Sequence, residues 1–143
     1  MSATPPAKIA LDHDDFHAEY VGRTADGRQF FLTTPFHPDI EFLALYLFDQ
    51  AGKFVDAKIE NLGPPSALDE EKLDALRDDW LNGLGKFKFG RIEVQPFSLE
   101  RFGTTFGFVA APPKGAEDEW LVEVQPGSYM TFAEPWDSGE YDT

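Results

Sequence analysis

The run from Ile40 to Asp49 reads IEFLALYLFD, and its apolar side chains fall on both alternating faces. At ten residues it is far short of the roughly 20 that cross a bilayer as a helix. A short, continuous apolar run is the signature of a central strand covered on both sides. Any fold for this chain must therefore supply two covers for one strand. The turn that follows, Asp49 to Gly52, leads into Lys53 to Asn61, where Val55, Ala57 and Ile59 alternate with Asp56, Lys58 and Glu60. That pattern predicts a half-exposed strand paired with the buried one.

The remainder of the chain supplies the other elements. Phe16 to Arg23 and Gln29 to Phe36 read as strands joined across Asp26-Gly27, a strong hairpin signal. After Gly63-Pro64-Pro65 the period changes. Leu73, Leu76, Trp80 and Leu84 recur at spacings of three and four, which predicts a helix over about 68–81 ended by Asn82-Gly83. Ser66, three residues before Asp69, is expected to form a capping box, and Asp69, Glu70 and Glu71 suit the positive end of the helix dipole. Trp80 is expected to be buried between helix and sheet.

Lys86 to Phe97 and Arg101 to Ala110 read as a further strand pair, with a bulge at Gly90 and with Phe102, Phe106 and Phe108 on one face. Trp120 to Gln125 and Ser128 to Phe132 complete the strands. The expected fold is α+β: a curved, mostly antiparallel sheet of about eight strands with one main helix packed on it. Residues 1–8 read as a flexible leader, 9–143 as a single domain and 134–143 as its acidic, turn-rich tail.

Length and composition agree with one domain. A chain of 143 residues holds one core without disulfide or structural metal. It has no cysteine, which excludes thiol nucleophiles and Cys-based zinc sites. Fourteen Phe, four Tyr and three Trp favour strands. No secretory h-region opens the chain, and the cytoplasm is the expected compartment.

No GxSxG, Walker A or dinucleotide glycine fingerprint is present. The densest polar cluster is Asp12 to His17, with His13 and His17 four apart. It matches no defined ligand spacing, so a solvated turn is expected there and no metal or other cofactor. Gly103 to Gly107 holds two glycines and reads as a place of close backbone approach rather than a phosphate cradle.

Charge is the most informative functional feature. The formal charge is −14, from 26 acids and 12 Lys and Arg. Such a field repels phosphates and anionic membranes, so neither nucleic acid nor membrane is an expected partner. It attracts a basic protein surface. The acids are unevenly spread: after Lys114 there are eight acids and no Lys or Arg. The partner-binding residues expected are Asp74, Asp78 and Asp79 on the helix, and Trp136, Asp137, Glu140 and Tyr141 in the tail, where aromatics interleave with acids.

Segments such as Gly22 to Gln29 (GRTADGRQ) and Pro135 to Thr143 (PWDSGEYDT) look like those of uncharacterised bacterial proteins. In size, charge, aromatic β pattern and lack of a catalytic motif, the whole chain resembles the small acidic immunity proteins that bacteria encode beside polymorphic toxins. That resemblance implies a non-enzymatic inhibitor that binds a basic toxin domain and occludes its active site. Two other readings fit the same residues: a small-molecule-binding domain or enzyme with an aromatic-lined pocket, and a regulatory or scaffold subunit.

Overall fold

A computed structural model describes residues 6–13, 19–35, 37–113, 115, 120–126, 130–132 and 139–141. In chain order its strands are β1 (Ile9–Leu11), β2 (Tyr20–Thr24), β3 (Gln29–Thr33), β4 (Phe42–Phe48) and β5 (Phe54–Asn61). A 3-10 turn (Pro65–Ala67) precedes helix α1 (Glu70–Gly83). Then come β6 (Phe87–Phe89), β7 (Ile92–Val94), β8 (Phe97–Arg101), β9 (Thr104–Ala111), β10 (Leu121–Gln125), β11 (Met130–Phe132) and β12 (Gly139–Tyr141).

The chain is α+β with antiparallel pairing throughout and one α-helix among the described residues, but it is not one curved sheet of eight strands. Among the described residues, twelve strands form three sheets: β5-β4-β3-β2-β6, β12-β11-β10-β9-β8, and the pair β1-β7. The reason lies in β4. Phe42, Ala44, Tyr46 and Phe48 face one side and Leu43, Leu45 and Leu47 the other, and both sides need cover. The second sheet and the β1-β7 pair close the first side, through Phe106, Phe108, Val122, Val124, Phe132, Leu11 and Ile92. Helix α1 closes the other with Leu73, Leu76, Trp80 and Leu81, packed around Phe30, Leu32, Leu43 and Leu45. The result is three layers, with the first sheet in the middle.

The apolar run through Gly90 accounts for much of the difference. Lys86 to Phe97 is not one bulged strand. It breaks at Gly90, so that β6 pairs with β2 and β7 crosses to pair with β1. The partner of β9 is instead β8, and Phe102 lies in the turn between them with φ 54°, exposed, its ring 5.8 Å from that of Phe42, which Phe106 also meets. The tail also contains a strand, since β12 pairs with β11. The buried β4 and its pairing with β5 are as the periodicity predicts.

Helix α1 starts later than its apolar stripe suggests. Asp69, not Ser66, is the N-cap: its carboxylate accepts from the N–H groups of Glu71 (3.0 Å) and Lys72 (3.3 Å). Ser66 lies in the preceding 3-10 turn. Trp80 packs against the helix-side core but is only half-buried. The helix covers the sheet with Leu73 as its centre, leaving the Trp80 ring at the margin. Trp80→Ala is therefore expected to cost about 1–2 kcal/mol, below the roughly 3–5 kcal/mol of a fully enclosed ring. Urea denaturation checks this, and a loss as large as that of a core Phe would place the ring inside.

One buried polar side chain ties the middle layer to β7. Gln29 is 1% exposed. Its Oε1 accepts from the Glu93 N–H (2.8 Å) and its Nε2 donates to the Asp49 carbonyl (3.2 Å). Both halves of the amide are satisfied, which is what makes its burial tolerable. The same turn approaches β7 closely, where the Gln95 N–H donates to the Gly52 carbonyl at 2.8 Å. A Cβ on Gly52, which has φ +90°, would sit 2.5 Å from the Glu93 carbonyl oxygen.

Candidate protein-binding surface

The outer side of α1 is the surface that the acidic helix residues build. The Leu73 stripe turns inward, so Asp74, Asp78 and Asp79 are exposed, as are Glu70 and Glu71. Two cations share the helix, Lys72 and Arg77. Arg77 bonds Asp74 through Nη1 at 2.8 Å and lies over the Tyr20 ring, 5.3 Å from its centroid. The guanidinium is thus drawn towards the sheet, and it leaves Asp78 and Asp79 to set the sign of the outer face.

Beneath this contact is a small cavity of about 160 Å³ lined by Glu19, Tyr20, Leu32, Thr33, Thr34, Leu43 and Arg77. Burial pushes the Tyr20 phenol pKa up, Arg77 opposes this, and Glu19 adds to it. The phenol is neutral at physiological pH, and what it gives the site is a flat apolar face for Arg77. On the first hairpin, the Thr24 hydroxyl and the Arg28 guanidinium hold the Asp26 carboxyl below the usual carboxylate range. That is turn chemistry, internal to the β2-β3 hairpin.

Of the remaining expected binding residues, only Glu140 and Tyr141 are described, and they lie apart from the helix. Trp136 and Asp137 lie outside the described residues. Glu140 and Tyr141 lie on β12, in register with Thr131 and Met130. Strand β12 is the edge of the second sheet, whereas α1 covers the far face of the first. The helix acids and Glu140 thus belong to different layers, with the first sheet between them.

His13 is accounted for by its neighbours. Its ring stacks on Phe89 (centroids 5.4 Å apart, planes at 13°), and its Nε2 is 3.1 Å from the Glu19 carbonyl oxygen. Asp12 pairs with Arg91 at 3.0 Å. His17, with Asp14 and Asp15, lies outside the described residues.

Counting charge along the chain missed a convergence of cations. Arg23, Lys86, Lys88 and Arg91 line one groove, with Phe87 and Phe89 between them. The alternation Lys86-Phe87-Lys88-Phe89 was a readable signal for an amphipathic edge, but it was absorbed into a longer predicted strand. No helix among the described residues is long and apolar enough to cross a membrane. Comparison with protein-family models, curated proteins and solved structures finds no match for this chain.

Proposed function

We propose that this chain is an acidic protein-binding module, an immunity-type inhibitor that docks on a basic toxin enzyme and occludes its active site. The observation that carries this reading is the outer face of α1. There Asp74, Asp78 and Asp79 are exposed together, and the nearest cation, Arg77, is held against Tyr20. Fixed on a helix that is itself packed on a sheet, these carboxylates need little ordering when a partner arrives, which keeps the entropic cost of binding low. They would act by steering a cationic surface into register. The tail residues Trp136, Asp137, Glu140 and Tyr141 form a second contact in this reading, with the aromatics as anchors and the acids as rim.

The test is association kinetics with the product of the neighbouring gene at two salt concentrations. Charge reversal at Asp74, Asp78 and Asp79 by lysine is expected to lower the on-rate by about tenfold or more at low salt. It should leave the unfolding midpoint nearly unchanged, because the three positions lie off the apolar stripe. Removal of Trp136 should act mainly on the off-rate. An on-rate indifferent to both salt and charge reversal would leave the −14 charge as a device for solubility only.

A further inference from the structure

Strand β6 is the edge of the middle sheet, and its chemistry is opposite to that of the rest of the protein. A groove of about 440 Å³ runs beside it, lined by Arg23, Lys86, Phe87, Lys88, Phe89 and Arg91, together with Thr24, Ala25 and Gly90. Four of the chain's twelve Lys and Arg residues are gathered here. Phe89 is 45% exposed. Arg23 and Lys88 stand directly opposite each other in the β2-β6 ladder. Like charges in that position weaken a sheet. Arg91 has two acidic neighbours, Asp12 at 3.0 Å and Glu93 at 3.9 Å. No acid pairs with Arg23, Lys86 or Lys88 among the described residues.

The ladder also determines where the backbone points. The Ala25 N–H donates to the Lys86 carbonyl (2.8 Å), and the Gly90 N–H donates to the Val21 carbonyl (2.9 Å). The alternate residues Phe87 and Phe89 therefore turn their N–H and C=O groups away from β2, towards the side of β6 that carries no strand among the described residues. Phe87 packs with the helix-side core, so Phe87 and Phe89 belong to that face of the sheet and Lys88 with Arg23 to the other.

We infer that this edge is a docking site for an extended acidic peptide segment of a partner protein, added as a sixth strand to the middle sheet. Four outward backbone groups supply the affinity common to strand addition, and side-chain alternation supplies the specificity. A residue of the incoming strand that lies beside Lys88 meets two unpaired cations and is acidic. Its neighbours on either side meet the phenylalanine face and are apolar or aromatic. Lysines on an edge strand also deter pairing with neutral or basic edges. The same charges select an acidic strand. This site is independent of the outer face of α1, lies on a different element and takes a partner of the opposite sign.

The experiment is selection of a random seven-residue peptide library against the intact protein, followed by binding and amide exchange with the enriched sequences. The expected peptides alternate acidic with apolar residues and bind Lys88→Glu roughly tenfold more weakly. They slow exchange at the Phe87 and Phe89 amides, and they lose binding when their own backbone is N-methylated at alternate positions. Lys88→Glu places a carboxylate opposite Arg23, so the variant keeps the ladder. Several results would overturn the inference: no enrichment, enrichment without acidic bias, equal binding to Lys88→Glu, or protection elsewhere. So would N-methylated peptides or phenylacetate alone binding as well, which would make the groove a small-anion site. A dimer of the protein alone that Lys88→Glu dissolves would assign the edge to self-association instead.

Discussion

Phe108→Ala is expected to destabilise the protein by about 3–5 kcal/mol, with a matching fall in the urea midpoint and an unchanged slope. Phe108 is fully buried and sits where the two five-stranded sheets meet. Its ring lies 5.4 Å from Phe97, 5.9 Å from Phe31, 6.0 Å from Phe48, 6.2 Å from Tyr46 and 6.3 Å from Phe132. Those neighbours come from β8, β3, β4 and β11, so no single element can move in to fill the void. An interior packed from several directions relaxes little, and the cavity penalty then adds to the lost transfer energy. A loss under about 1 kcal/mol would mean that the sheets do not share this core.

Gly22→Val should be nearly as damaging, by a different mechanism. The backbone of Gly22 is not in the left-handed region, so the difficulty is one of space alone. A Cβ there would lie 2.0 Å from the Lys88 carbonyl oxygen and 2.8 Å from the Phe89 Cα. Both are backbone atoms of β6 and have no rotamer to yield. The strand must move outward, and the expected cost is about 2–3 kcal/mol. Amide exchange at Ala25 and Gly90, which bond across this ladder, should rise with it. Gly83→Ala is the control. It closes α1, has nothing within 4 Å of its Cβ position, and should be neutral or stabilising by a few tenths of a kcal/mol. If both substitutions were equally mild, the tight β2-β6 approach would be wrong.

Together these substitutions separate the two proposed surfaces. Gly22→Val displaces the edge on which an acidic strand would dock and leaves the acidic side chains of α1 unchanged. Charge reversal on α1 leaves β6 untouched. A partner that senses only one of the two variants is thereby assigned to its surface.

Periodicity along the chain determined the parts of this protein that depend on local alternation. IEFLALYLFD must be a strand buried on both faces, because between Glu41 and Asp49 neither parity offers water a charged side chain. The stripe Leu73, Leu76, Trp80 must belong to a helix, because only a period near 3.6 brings those residues together. The acidic character of the outer helix face follows from the same stripe, since Asp74, Asp78 and Asp79 are what remains outside it.

Tertiary structure alone decided how the second cover of β4 is made. The apolar run around Gly90 signals a bulge but not that β6 and β7 part company there, since both halves read as strand and both are amphipathic. The break follows from non-local pairing: β7 satisfies β1, and Gln29 reaches Glu93 across 64 positions of sequence. Non-local partners likewise turned part of an acidic tail into an edge strand and placed it in a different layer from the helix. The groove at β6 has the same origin. Its cations lie at 23, 86, 88 and 91, two separate stretches that a count of charge along the chain treats as unrelated. Only the antiparallel register, which sets Arg23 against Lys88, makes them one site.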